Sequence, residues 1–169
     1  MALALAALAS SVTVSKADEF IDQHVGYDPA NVRYDAGEWS VDVAGTLGSR
    51  DRENFSSVNA LGLGLGVNYF ITRNLGVGAE TYMDELDWPN HFDFSALGRW
   101  PIEDTGFAPY VLGGFGRQFH DLGQWTAHVG GGIEYRWNGF TGVFFDLRQV
   151  FPATTPDFTL WRLGLRLRF

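Results

Sequence analysis

From Trp39 onward the chain alternates apolar and polar residues in segments separated by polar, glycine-rich or proline-containing breaks. Period-two alternation is the mark of β-strands with two different faces. The first segment, Trp39 to about Leu47, sets Trp39, Val41, Val43 and Leu47 against Ser40, Asp42, Ala44 and Thr46. The second, about Ser57 to Phe70, sets Leu61, Leu63, Leu65, Val67 and Tyr69 against Ala60, Gly62, Gly64, Gly66 and Asn68. In the third, Leu75, Val77, Ala79, Thr81 and Met83 oppose Gly76, Gly78, Glu80 and Tyr82. The fourth, His91 to Trp100, opposes Phe92, Phe94, Ala96 and Trp100 to His91, Asp93, Ser95, Leu97 and Arg99. Glycine falls on both faces of the fifth, Phe107 to about Gln118, so its orientation is open; Phe107, Val111 and Phe115 are assigned to the apolar side. In the sixth, Ala127, Val129, Ile133, Tyr135 and Trp137 oppose His128, Gly130, Gly132, Glu134 and Arg136. The seventh opposes Val143, Phe145 and Leu147 to Asp146 and Arg148. The last, Phe158 to Phe169, carries Trp161, Leu163, Leu165, Leu167 and Phe169 on one side and Arg162, Arg166 and Arg168 on the other.

The connections after the second, fourth and sixth strands read as short: Thr72–Asn74, Pro101–Gly106 and Asn138–Gly139. Those after the others (Ser49–Asn54, Asp84–Asn90, Arg117–Gln124, Pro152–Asp157) read as longer or more charged. Asn-Gly suggests a two-residue hairpin, but parity forbids it here. Keeping Asp146 and Arg148 on the polar face requires odd positions to pair with odd ones, so a three-residue loop or a glycine bulge is expected.

Alternation alone does not say which face is wet, because a soluble lipocalin-like barrel is apolar inside and a membrane barrel is apolar outside. The polar face decides. It combines small residues with Asp42, Glu80, Glu134, Asp146, Arg99, Arg136, Arg148, Arg162 and Arg166, while the apolar face carries almost no charge. Trp39, Tyr69, Trp100, Phe107, Tyr135, Trp137 and Phe169 gather next to the short connections, where an interfacial aromatic belt belongs. The expected fold is all-β: an eight-stranded antiparallel up-and-down transmembrane β-barrel over residues 38–169, with both termini on the periplasmic side. Buried charges must be paired, so the nine acids and arginines above are expected to form an ion-pair network. An eight-stranded interior is just filled by side chains, which leaves no wide pore.

At 169 residues the chain suits one domain, with 21 glycines and 15% aromatic residues. No later run of apolar residues is long enough for a transmembrane helix, and the mean hydropathy is near zero. There is no cysteine, so no disulfide framework or thiolate chemistry is available. A net charge of −8 argues against nucleic acid as a partner. Residues 1–17, with an apolar Ala2–Ala9 core and small residues in Ser15-Lys16-Ala17, read as a signal peptide. Residues 18–37 read as a periplasmic N-terminal extension.

The eight-strand layout, Pro109-Tyr110-Val111-Leu112-Gly113-Gly114, Gly131-Gly132-Ile133-Glu134-Tyr135-Arg136 and the terminal phenylalanine resemble the OmpA-like and OmpX-like small outer-membrane barrels over roughly Glu38 to Phe169. The resemblance implies residence in the outer membrane of a Gram-negative bacterium and outer-membrane lipids and lipopolysaccharide as partners. It also implies recognition of the last strand (Trp161, Leu163, Leu165, Leu167, Phe169) by the barrel-assembly machinery. A monomer without cofactors or metal is expected. The resemblance specifies architecture better than role. A structural, envelope-integrity or surface-interaction role is favoured, with a low-conductance channel as the alternative.

Some barrels of this size modify lipid A, which a Ser/His/acid cluster on the lipid face would signal. His91 and Ser95 share a face but lie about 13 Å apart along one strand, beyond hydrogen-bond reach. His128 reads as an interior histidine beside Glu134 and Arg136, and no Ser/His/acid cluster is legible on the lipid face. The chain is therefore expected not to be an enzyme. His120 with Asp121, and Asp84-Glu85 with Asp87, read as solvated loop charge. Arg50, Arg52 and Arg117 are candidate contacts for lipopolysaccharide phosphates.

Overall fold

The structure, a computed structural model, describes residues 33–52, 55–83, 89–119 and 123–169. The expected signal peptide and the first part of the extension lie outside these residues. So do His120, Asp121, Asp84, Glu85 and Asp87, and the side chains of Arg50 and Arg52. Eight strands follow one another: β1 (Glu38–Arg52), β2 (Phe55–Phe70), β3 (Leu75–Tyr82), β4 (His91–Arg99), β5 (Phe107–Gln118), β6 (Gln124–Arg136), β7 (Thr141–Pro152) and β8 (Phe158–Arg168). Each pairs antiparallel with its chain neighbours, and β8 returns to β1, closing the barrel.

The pairing register is staggered. Starting at Glu38, the partners run Phe70, Gly76, Leu97, Leu112, Gly130, Arg148, Leu160 and then Gly48, not Glu38. A ring that closes on a displaced residue forces its strands to tilt against the axis. Inward residues that are distant in register are thereby brought to similar heights in the lumen.

The apolar face points out on every strand. On β8, Leu163 is 65% exposed while Arg162 and Arg166 are 4% and 2% exposed. Strand β5 takes the orientation assigned to it, with Phe107, Val111 and Phe115 outside and Tyr110 and Leu112 buried. The aromatic belt forms as pairs across strands, Trp39 with Tyr69 at 4.8 Å and Phe107 with Tyr135 at 4.7 Å between ring centres. At the other end Phe119 and Trp125 are exposed.

Two expectations about connections need correcting. Ser49–Arg52 is not loop: β1 and β2 stay paired to Arg52 and Phe55, leaving only residues 53–54 between them. Arg50, Asp51 and Arg52 carry no apolar alternation that would mark them as strand. The short–long alternation also fails, since residues 100–106 after β4 outnumber residues 119–123 after β5. The β6–β7 register does pair odd with odd and even with even (Tyr135 with Val143, Arg136 with Gly142), with residues 137–140 between the two strands. Asn138 Oδ1 accepts the backbone N–H groups of Phe140 (2.8 Å) and Thr141 (2.7 Å). Asn138→Ala is expected to lower stability by about 1 kcal/mol, the net worth of such bonds, readable as a shift in the urea unfolding midpoint.

Candidate functional site

Inward side chains of the tilted strands fill the lumen in tiers. At the mouth where β1 begins and β8 ends, the buried Glu38 carboxylate receives Arg136 (Nη2 to Oε1 2.7 Å, Nη1 to Oε2 3.1 Å) and Arg99, with Arg168 Nε 3.5 Å away. Residues 33–35 pack across this mouth. The carbonyl oxygens of Arg33 and Asp35 accept from Arg136 (2.6 Å) and Arg99 (3.1 Å). Tyr34 lies beneath both guanidiniums, with ring-centre distances of 4.4 Å to Arg136 and 5.0 Å to Arg99. Its hydroxyl donates to the Gly106 carbonyl at 2.8 Å. Gly106 has a φ of 78°, a left-handed conformation that glycine adopts without strain. Burial, and after it the negative charge of Glu134, hold the Tyr34 phenol proton more tightly than usual, so the hydroxyl stays a donor.

One tier further in, Arg166 grips Asp42 with two bonds (Nε to Oδ1 2.7 Å, Nη2 to Oδ2 2.6 Å) and reaches Glu134 Oε2 at 2.6 Å. Glu134 also binds Arg136 Nε, and Asn68 donates to Asp42 at 3.0 Å. Next comes a four-member knot. Arg162 holds Asp146 (Nε to Oδ1 3.0 Å, Nη2 to Oδ2 2.8 Å), and Arg148 Nε lies 3.2 Å from Asp146 Oδ1. Both arginines also bind Glu80, and the Tyr110 hydroxyl donates to Asp146 at 2.7 Å. Forked guanidinium–carboxylate pairs of this kind are the strong class of charged hydrogen bond.

All nine anticipated acids and arginines therefore line the lumen. Arg99 pairs with Glu38 and lies 3.5 Å from the Phe70 ring centre. Sequence reasoning missed Glu38, although parity with Ser40 and Asp42 places it inward. It also missed a contact in the far third of the lumen. Ser95 Oγ lies 2.9 Å from His128 Nε2, and His128 Nδ1 lies 3.4 Å from Asp93 Oδ2. His91 does not join Ser95; it stacks on Tyr82 at 4.4 Å between ring centres. Among the described residues no group of three His, Asp or Glu side chains is placed to hold a metal ion.

An apolar belt around a closed eight-stranded barrel with a charged, buried interior defines a transmembrane β-barrel, the fold of the small outer-membrane proteins. No family model matches the chain, and no curated protein matches it. Solved structures do. Ail, the attachment invasion locus protein of Yersinia pestis, has a TM-score of 0.61 at 15% identity, covering 79% of this chain and 99% of that one. The N-terminal β-barrel domain of Pseudomonas aeruginosa OprF gives 0.58 at 15% identity, covering 77% and 97%. A de novo designed transmembrane β-barrel gives 0.58 at 14% identity, covering 82% and 100%. A designed barrel scores as well as a natural one, so these likenesses speak for the fold and not for a role.

Proposed function

We propose that the chain is a small outer-membrane β-barrel protein serving envelope integrity or surface interaction, its lumen plugged by paired carboxylates and guanidiniums. The observation that carries this reading is the tiered network from Glu38 to Asp146, in which every arginine is bound to at least one acid from another strand. The cavity between Glu80, Ser95, Arg148 and Arg162 has about 10 Å³, room for about one water molecule. The likeness to Ail, an attachment invasion locus protein, supports keeping surface interaction beside envelope integrity. The belt faces lipid, and the barrel works as a monomer. At the far mouth, Arg117, 5.6 Å from the Trp125 ring centre, is a contact for lipopolysaccharide phosphate. The role is not enzymatic: Ser95 faces inward, towards the cavity just described.

Planar-bilayer recording of the refolded barrel, with heat-modifiable gel mobility as the folding control, tests the plug. A folded, silent barrel is the expected result. Discrete conductance steps would transfer the assignment to the low-conductance channel. Strand β8 is proposed as the segment read by the assembly machinery. Phe169→Ala is expected to reduce heat-modifiable barrel in cell envelopes while refolding into detergent stays at the wild-type level; equal envelope amounts would refute the assembly role.

A further inference from the structure

Five lumen carboxylates, Glu38, Asp42, Glu80, Glu134 and Asp146, each salt-bridge an arginine. Asp93 is the exception. It is 1% exposed, and its salt-bridge partner among the described residues is His128, at 3.4 Å. Arg148, the guanidinium whose charge reaches Asp93, is taken by Glu80 and Asp146. Val150, Phe158 and Leu160 close the far third of the lumen with apolar surface. A carboxylate in such a place without a counter-charge is strongly unfavourable. His91, on the same strand, acts on Asp93 as well, and His128, whose Nδ1 lies 3.4 Å from Asp93 Oδ2, can supply the charge by binding a proton.

We propose that Asp93, His128 and Ser95 form a proton-binding site that takes up and releases one proton between Asp93 and His128. On uptake the proton enters the gap between Nδ1 and Oδ2, and the pair passes from a net charge of −1 to neutral. Ser95 fixes the ring through Nε2 at 2.9 Å. No bond between heavier atoms is made or broken. The order Ser–His–Asp is that of a hydrolytic triad, but the cavity beside Ser95, about 10 Å³, admits no acyl substrate. Holding a proton is the chemistry left to it.

The groups facing the pair are Glu80 and Tyr82 from β3, His91 from β4, Asp146 and Arg148 from β7, and Arg162 from β8. Strand β5 brings up backbone: a Cβ on Gly116 would run into the Asp93 carboxylate, and one on Gly114 into the Phe94 carbonyl. Glu80 and Asp146 offset Arg148 and Arg162 in charge, and Asp93 is the carboxylate in contact with the His128 ring.

Histidine-15N and aspartate-13C NMR of the refolded barrel, titrated from about pH 4 to 9, tests the site, with His128→Gln assigning the ring. The expected result is one shared midpoint for the His128 nitrogens and the Asp93 carboxyl carbon. Asp93→Asn should displace the His128 midpoint by at least tenfold in proton concentration, and Ser95→Ala should alter the Nε2 signal more than the Nδ1 signal. Separate midpoints in the wild type, a His128 ring that does not titrate, or an Asp93→Asn midpoint within twofold of wild type would each overturn the proposal. The wild-type titration decides the matter even if a variant fails to fold.

Discussion

Arg162→Leu is expected to lower the unfolding free energy by about 3–5 kcal/mol, the cost of leaving a buried charge without its partner. Arg162 binds both Glu80 and Asp146. Its loss leaves two carboxylates to share Arg148. The measurement is urea unfolding in lipid vesicles followed by tryptophan fluorescence: the midpoint should fall and the slope stay constant, since the exposed surface is unchanged. Adding Glu80→Leu should recover much of the loss, because Asp146 then keeps Arg148 at 3.2 Å and the Tyr110 hydroxyl at 2.7 Å. Removing Asp146 instead would strand that hydroxyl, so the identity of the rescuing partner is itself a prediction. Strong non-additivity is the signature of a coupled network. An unchanged midpoint in Arg162→Leu would refute the stabilising role of the network.

Gly132→Ala should be nearly as damaging, by about 3 kcal/mol, at the upper end of the usual cost of overpacking. A Cβ at Gly132 would collide with the Phe145 carbonyl and lie 2.6 Å from Asp146 Cβ and 2.9 Å from its Cα. Backbone on the neighbouring strand cannot yield as a flexible side chain would. The clash would also push Asp146 away from Arg162. Gly113 provides the control: on the outward face of β5, its added Cβ would find the His128 carbonyl oxygen at 3.6 Å, an ordinary contact. Gly113→Ala should stay within about 0.5 kcal/mol of wild type. Equal unfolding midpoints for the two variants would show that the inward glycines are not a steric requirement.

The number of strands and their facing were legible because lipid and lumen impose opposite demands on alternate residues, as in Leu163 against Arg162. The odd-with-odd register around Asn138 was legible for the same reason: a slip of one would have placed Asp146 in hydrocarbon. The top of the β1–β2 hairpin was not legible, since Arg50, Asp51 and Arg52 carry no apolar alternation and resemble a loop. Glu38 carried a signal that went unused, its parity with Asp42; it was overlooked because it opens its strand. The meeting of Ser95 with His128 carried none. It joins two strands that are not neighbours in the sheet, and spacing within one strand cannot reveal such a contact. The pairing of Arg99 with Glu38 depends in the same way on the stagger of the whole barrel.

The pairs in the lumen link distant parts of the chain: Arg136 with Glu38 across 98 residues, Arg166 with Asp42 across 124 and Arg162 with Glu80 across 82. A half-assembled sheet lying in hydrocarbon would therefore present solitary acids and arginines to lipid, at a cost of several kcal/mol for each charge. Glu134 with Arg136, and Asp146 with Arg148 and Arg162, find a partner on the same or the next strand. Glu80 and Arg99, however, are met from across the ring, as is Glu38 by Arg99 and Arg136, and Asp42 meets Arg166 only when β1 and β8 close the seam. The charges thus act as a timing constraint on biogenesis. The sheet must curl and seal as it enters the bilayer, and insertion and closure become a single concerted event.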